Sequence, residues 1–378
     1  MTVWIQNPFD NLPSEGYRKE RYWLMCEAFV RAGHDVVFWT SSFSHAKKAF
    51  RRLDVQPFSR LEVRMIPTLP YPKNVCFKRI ESHRAYAKEW NRLSRDAGKP
   101  DIIVTSTPTL SAAAVALDLG RKYGAKVVVD VMDAWPETFE RLAPKGLRWL
   151  TKPFLLGMHR MARRIYREAD LVTGVCERYR ELTGRSDYYL AYHGIDLSLQ
   201  SPVFCPQPHN TTQRVRLVYA GNLGKTYDLR TVVNAVEANG DFELDVAGFG
   251  NFHSDCSRVR FHGLLSEPDL QALLAQCDIG IVPMRADSWV GVPYKFCDYS
   301  KAGLAIVSSL GGESSALLGK YRCGVTYRAG DPSSLAVAIR KAMTLRRGAS
   351  RTMCADEFDA TKIYDAYAAH VLKFVQNS

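Results

Sequence analysis

The chain has 378 residues, more than one ordinary domain holds, so two domains are expected. Hydrophobic residues make up 46% and charged residues 24%, the balance of a globular protein, and no apolar run reaches the length of a membrane-spanning helix. The formal net charge of +12 points to an anionic partner, whether phosphate groups, nucleic acid or a membrane surface. Nine cysteines are scattered with no C-x-x-C pair and no zinc spacing. They predict buried thiols in a reducing, cytoplasmic setting, with neither a disulfide scaffold nor a metal site.

In chain order, the first apolar run, Val3 to Gln6, has no basic stretch before it and ends at Asn7-Pro8. It predicts a first strand, not a secretion signal. Further strands are predicted at Asp35 to Trp39, Glu62 to Ile66, Ile102 to Thr105, Lys126 to Asp130 and Leu171 to Thr173. Helical patterns at Tyr17 to Ala32, Arg79 to Ala97 and Leu110 to Tyr123 separate them. A second series opens at Val215, with strands Val215 to Tyr219, Phe242 to Ala247, Ile279 to Val282 and Ala305 to Ser308. Helices near Leu229 to Ala238, Glu267 to Gln276 and Tyr294 to Ala302 alternate with these. Between the series, Leu199 to Gln213 is polar and without period, and reads as the linker. The boundary is therefore expected near residue 200, giving domains 1–199 and 200–378, with the last helix, Ile363 to Val375, able to pack back on either. The alternation predicts an α/β protein of two Rossmann-like, doubly wound domains whose ligands bind at the carboxyl ends of the strands.

The candidate ligand residues follow strands. Val215 to Tyr219 runs into Ala220-Gly221-Asn222-Leu223-Gly224-Lys225, then Asp228 and a helix. Glycines admit phosphate oxygens to the backbone, a helix start offers N–H groups, and Lys225 adds a cation. An ordinary strand-to-helix turn is the plain alternative. The absence of G-x-x-x-x-G-K-[ST] excludes a P-loop. In Gly291-Val292-Pro293-Tyr294-Lys295-Phe296-Cys297-Asp298-Tyr299, Pro293 suits a first helical turn, and Lys295 and Asp298 share a face near the helix start. A lysine there suits a diphosphate and a carboxylate suits ribose hydroxyls; a solvated ion pair is the alternative. No G-x-G-x-x-G follows the first strand, and Gly248 and Gly250 lack a third glycine, which argues against a nicotinamide dehydrogenase.

The segment from Pro293 through Lys295, Asp298, Tyr299, Ala302 and Gly303 to Val307 resembles the signature of family 4 glycosyltransferases with the GT-B fold. So do Val218 to Gly224, Val259 to Leu264, Cys277 to Pro283 and Cys323 to Val325 followed by Gly330-Asp331-Pro332. The likeness covers the second half and is nearest to bacterial capsule, exopolysaccharide and O-antigen enzymes. It implies two domains facing across a cleft. It also implies a retaining, metal-independent transfer of a sugar from a nucleotide diphosphate, most simply UDP, with no cofactor. In that reading Asp298 holds the ribose, and Lys225 and Lys295 neutralise the diphosphate as it leaves. Gly221, Asn222, Gly224 and the Val292 backbone line the site, and the backbone near Gly263 and Leu264 meets the base. Val290 stands where the family commonly carries a glutamate toward the sugar, and Asn222 where many members carry arginine.

In the first half, the resemblance makes Gly16 and Arg18 candidates near the diphosphate or acceptor. The segment Asp130-Val131-Met132-Asp133-Ala134-Trp135-Pro136-Glu137 resembles the same branch. It implies that Asp133 hydrogen-bonds a sugar or acts as base toward the acceptor hydroxyl; a helix N-cap is the alternative. Glu137 is a second candidate. His193, in Tyr192-His193-Gly194-Ile195-Asp196, matches a hinge first and a ligand second. From Arg141 to Arg167 the basic residues, among them Arg160, Arg163 and Arg164, are interleaved with Leu147, Trp149, Leu150, Phe154 and Met161. That pattern suits an anionic membrane surface on the cytoplasmic leaflet and a saccharide or lipid-linked saccharide acceptor; a packed helix with a solvated basic face is the alternative. No nucleic-acid motif accompanies the charge. The competing functions are a GT-B nucleotide-sugar epimerase, a glycan phosphorylase, and a catalytically weakened nucleotide-sugar-binding relative, for which Val290 is the argument.

Overall fold

A computed structural model describes every residue except Tyr17, 53–58, Val75, 141–144, 199–213, Lys225 and Ser378. The chain forms two compact units, Met1–Tyr192 with Thr361–Ser378, and His193–Ala360. The stretch read as the linker lies outside the described residues.

The first unit is built on a parallel seven-stranded sheet. Its strands are β1 (Thr2–Gln6), β2 (Asp35–Ser41), β3 (Leu61–Ile66), β4 (Ile102–Thr107), β5 (Lys126–Val131), β6 (Leu171–Gly174) and β7 (Tyr189–Leu190). They lie in the order β3-β2-β1-β4-β5-β6-β7. The strands β1, β4 and β5 are buried on both faces because helices cover both sides, as in a parallel sheet. Those helices include α1 (Arg21–Arg31), α2 (Phe77–Leu93), α3 (Leu110–Tyr123) and α4 (Lys152–Glu168).

One buried ion pair ties this unit together. Arg21, 2% exposed, donates through Nε and Nη2 to both oxygens of the fully buried Asp130, each at 2.8 Å. Its Nη1 donates to the carbonyls of Ala191 and Tyr192 at 2.9 Å. Tyr22 Oη and Thr173 Oγ1 donate to the same carboxylate at 2.7 Å. The Arg21 guanidinium and these donors hold the Asp130 carboxyl below its usual range although burial alone would raise it. Both carboxylate oxygens thus accept two hydrogen bonds each and four of the five guanidinium N–H groups have an acceptor, which is what lets a charge pair sit in a core.

The second unit has a parallel six-stranded sheet of β8 (Val215–Ala220), β9 (Phe242–Ala247), β10 (Val259–Gly263), β11 (Ile279–Val282), β12 (Ala305–Ser308) and β13 (Gly324–Thr326). The order is β10-β9-β8-β11-β12-β13. Helices α5 (Leu229–Ala238), α6 (Glu267–Ala275), α7 (Lys295–Ala302), α8 (Glu313–Lys320), α9 (Pro332–Ala342) and α10 (Ala349–Glu357) follow the strands. Leu217, Tyr219, Leu244, Val246, Ile279 and Ile281 form one core with Val232, Val236, Leu335 and Ile339 of α5 and α9. The final helix, α11 (Ala360–Gln376), returns to the first unit, where Tyr367 packs edge-on against Phe29.

Predicted strands β9, β11 and β12 have the expected bounds, while β7, β10 and β13 were not expected. β7 and β13 are two and three residues long, and β10 is an edge strand with four exposed positions, so none carries an apolar run. The eight described cysteines are all free thiols. Among the described residues no helix is long and apolar enough to cross a membrane.

Candidate active site

In each sheet the strand order reverses beside the first strand of its series, and ligands of such sheets bind at that point, beyond the carboxyl ends. In the second unit the reversal lies between β8 and β11. Tyr299 of α7 holds the two strands in place there: its hydroxyl accepts from the Ala220 amide at 2.9 Å and donates to the Ile281 carbonyl at 3.3 Å. Gly280 leaves room for the ring, since a side chain there would overlap it.

Beyond Ala220 the chain turns at Gly221, whose φ of 137° is open to glycine and strained for other residues. The Gly221 amide donates to Ala247 O and the Leu223 amide to Phe249 O, both at 2.8 Å. Gly248 donates to Gly263 O at 2.7 Å. The turns after β8, β9 and β10 are thereby stitched into one rim, which places Gly221, Asn222 and Gly224 beside the turn that carries Leu264. Leu264 is 66% exposed and offers an apolar surface at the end of this rim.

Lys295 reaches the same rim from the head of α7. Only 6% of it is exposed, and its Nζ stands 4.7 Å from the Tyr219 ring centroid and 4.4 Å from that of Tyr227. Two ring faces hold the ammonium in place and keep water from it. Its Nζ lies where a β-carbon on Gly221 would go. Asp298, also 6% exposed, follows one turn later on the same face, and Val292, 3% exposed, lies just before the helix.

Two details differ from the sequence expectation. Asp228 caps the helix after the glycine turn, accepting from the Thr231 amide at 3.2 Å and the Thr231 hydroxyl at 2.6 Å, so one of the N–H groups at that helix start is already used and a carboxylate stands there. And the Gly221 amide is already used within the rim, so the cationic element described there is Lys295. Lys225 lies outside the described residues. Val290 is half-buried, its amide donating to Ser288 Oγ at 3.2 Å. His193 packs 5.5 Å from the Tyr294 ring and its carbonyl accepts from Cys297 Sγ, so it bears on the helix that carries Lys295.

In the first unit, Asp133 follows β5 at the carboxyl end of the sheet and accepts from Thr138 Oγ1 at 3.3 Å. Burial raises its carboxyl above the ordinary range, while Arg79 and the Thr138 hydroxyl hold it down. Glu137 is engaged by His159 Nδ1 at 3.4 Å, and Glu140 by the same ring's Nε2 at 2.9 Å, which makes Glu137 part of a half-buried cluster. Gly16 ends a short 3-10 turn with φ 81°, and Arg18 is half-buried nearby. Tyr219, Tyr227 and Tyr299 were missed in the sequence; aromatic residues within strands and helices read as core, and only the fold shows that three of them meet at one lysine and one strand end.

Residues 20–189 match the Glycosyl transferase 4-like domain, and residues 214–344 match Glycosyl transferases group 1. The chain belongs to the family 4 glycosyltransferases. No curated protein matches this glycosyltransferase in sequence. In fold it resembles sucrose-phosphate synthase from Thermosynechococcus elongatus, with TM-score 0.78 and 14% identity over 100% of both chains. It also resembles the Anabaena protein Alr3699/HepE in complex with UDP, with TM-score 0.66 and 13% identity over 98% of this chain and 99% of that one. WaaG, a glycosyltransferase involved in lipopolysaccharide biosynthesis, gives TM-score 0.64 and 14% identity over 98% and 99%. The glycosyltransferase has the GT-B fold.

Proposed function

We propose that this glycosyltransferase moves a sugar from a uridine diphosphate donor, with retention of anomeric configuration and without a metal, onto a saccharide or lipid-linked saccharide of a surface polysaccharide. The observation that carries the donor half is the Lys295 ammonium, caged by Tyr219 and Tyr227 above the Gly221 turn. A cation fixed where water is scarce stabilises the charge that builds on a leaving diphosphate without reorganising. Asp298 then takes the ribose hydroxyls and Leu264 the base. The complexes of HepE with UDP and with UDP-glucose support uridine as the nucleoside. Asp133 accepts the proton of the acceptor hydroxyl in this reading, supported by its position after β5 and by a proton affinity raised by burial.

Contact with an anionic membrane at the cytoplasmic face belongs to the same proposal. Phe154, Met158, Met161 and Ile165 fall on one stripe of α4; the stripe is buried at Ile165, and Phe154 is 86% exposed. Trp149, 65% exposed, adds a further exposed apolar side chain just before α4, and Arg160 and Arg163 are exposed on the side of the helix away from the stripe. Arg164 is engaged by Glu168 at 3.1 Å, so the first two supply the available charge. Interfacial segments combine such an apolar edge with basic neighbours.

The test of the donor assignment is calorimetric titration with UDP, GDP and ADP, followed by incubation with UDP-glucose and analysis of the product anomer in the presence of a chelator. Selective UDP binding and an α-linked product support the proposal. Equal affinity for all three nucleotides, or an inverted product, overturns it.

A further inference from the structure

The carboxyl end of the first sheet holds a cluster of basic groups that the donor reading does not use. Arg79, at the start of α2, lies among three rings, with its guanidinium carbon 5.1 Å from the Phe9 centroid, 4.7 Å from Trp135 and 6.0 Å from Tyr71. It donates through Nη1 to Asn74 O at 2.8 Å and through Nε to His83 Nε2 at 3.3 Å. Lys48 stands 4.7 Å from the Tyr71 ring and donates to Asn74 Oδ1 at 2.7 Å. His45 meets the Tyr71 hydroxyl at 2.6 Å, and His83 stacks on Trp135 at 5.5 Å. These groups come from the turns after β1, β2, β3 and β5 and from the head of α2, so four separate connections converge on one place.

Among the described residues, no carboxylate forms an ion pair with Arg79 or Lys48; Asp133 acts on Arg79 only through its field. Four nominally basic side chains therefore crowd together with little counter-charge, and each is made less basic than normal. Burial, then the neighbouring Arg79, pushes both His45 and His83 down to about 3, and burial and Arg79 push Lys48 down to about 8. Two cations kept partly out of water, with neutral imidazoles and rings in place of carboxylates, work against folding. A fold that keeps them stores an attraction for an anion, and the ring walls strengthen it by lowering the local dielectric. Arg79 and Lys48 are both half-exposed, so the enclosure is open to a ligand.

We propose that Arg79 and Lys48, backed by Phe9, Tyr71 and Trp135, form a subsite for an oxyanion carried by the acceptor saccharide, a phosphoryl or carboxylate group. This rests on the reading of the first unit as the acceptor side. The anionic group docks on the two cations, and the sugar bearing it presents a hydroxyl toward Asp133, whose field already reaches Arg79. The acceptor is thus an acidic sugar, and the subsite selects for its charge.

The test is calorimetry on the full chain with UDP saturating, so that the donor site does not take up the probe. Glucose 1-phosphate, glucuronic acid and glucose are compared, and the first two distinguish a phosphoryl from a carboxylate source. Binding of at least one anionic sugar, tenfold or more tighter than glucose and weakened by salt, is expected. Arg79→Gln and, separately, Lys48→Gln each reduce it about tenfold while leaving UDP affinity near that of the unaltered protein. Lys48, on a separate connection from Arg79, keeps the test readable where Arg79→Gln perturbs the fold. Equal binding of glucose and both anions, or unchanged anion affinity in Lys48→Gln, overturns the proposal. The same titration in Lys295→Ala without UDP reads the subsite independently of the donor assignment.

Discussion

Lys295 fills the space that a side chain at Gly221 would need. A glycine at the end of a strand and a lysine at the head of a helix 74 residues later are therefore complementary: the missing β-carbon on one makes room for the ammonium of the other.

From this, Gly221→Ala and Lys295→Ala are expected to have different signatures. The first displaces the ammonium and forces a side chain into a φ of 137°, so it lowers both stability, by about 1–3 kcal/mol, and UDP affinity. The second removes only the cation and costs about 1.5–3 kcal/mol of UDP binding. Thermal unfolding and calorimetry side by side check this; an unaltered UDP affinity in Lys295→Ala rules the lysine out as a diphosphate ligand.

Asp133→Asn is expected to cut turnover at least a hundredfold with UDP affinity unchanged, the range general-base loss usually spans, about 10²–10⁴. Steady-state transfer rates with a binding measurement on the same preparation decide it. Turnover within a few-fold of normal assigns Asp133 to the turn it forms with Thr138.

Breaking the Arg21–Asp130 pair from one side leaves a buried charge without a partner. Asp130→Asn is expected to lose about 3–5 kcal/mol of stability in urea unfolding, more than any surface pair in the chain. A loss below 1 kcal/mol would show that the core around Arg21 readmits water.

His83 is held neutral in the folded chain, its ring pushed down to about 3, and titrates near 6.5 when unfolded. The unfolded state takes up the proton first as pH falls, so stability is full above about pH 6.5 and declines from there toward pH 3. His83→Gln should reduce the loss between pH 7 and pH 5 by about 1–2 kcal/mol, measured by urea unfolding at both values. Parallel losses in the two proteins would contradict the assignment.

For the α4 surface, Arg160→Gln with Arg163→Gln is expected to weaken binding to phosphatidylglycerol vesicles, read by sedimentation, about thirtyfold, from roughly 1 kcal/mol per basic residue near the surface. Phe154→Ser should weaken it further and independently of salt. Unchanged sedimentation of both variants leaves the stripe as ordinary exposed surface.

The sequence was most legible where periodicity and chemistry coincide. Apolar strands covered on both faces, such as Ile279–Val282, could be read to the residue. Lys295 and Asp298 could be read because they sit three apart within one short helix, a local pattern. Arg79, Lys48, His45 and His83 were not legible, because they come together only through the convergence of separate connections. The cap that Asp228 forms was not legible either, since an aspartate before a helix shows its partner only once its bonds to Thr231 are placed.

Tyr299 belongs to the helix that carries Lys295 and Asp298, yet its hydroxyl completes the hydrogen bonding of β8 and β11. A rotation or axial drift of that helix would strand a buried amide at the end of β8, so the orientation of Lys295 and Asp298 is indexed to the sheet. Distant substitutions that repack the helix will therefore shift Lys295 and Asp298 against the Gly221 turn, and under the proposed donor site they loosen nucleotide binding before global stability falls.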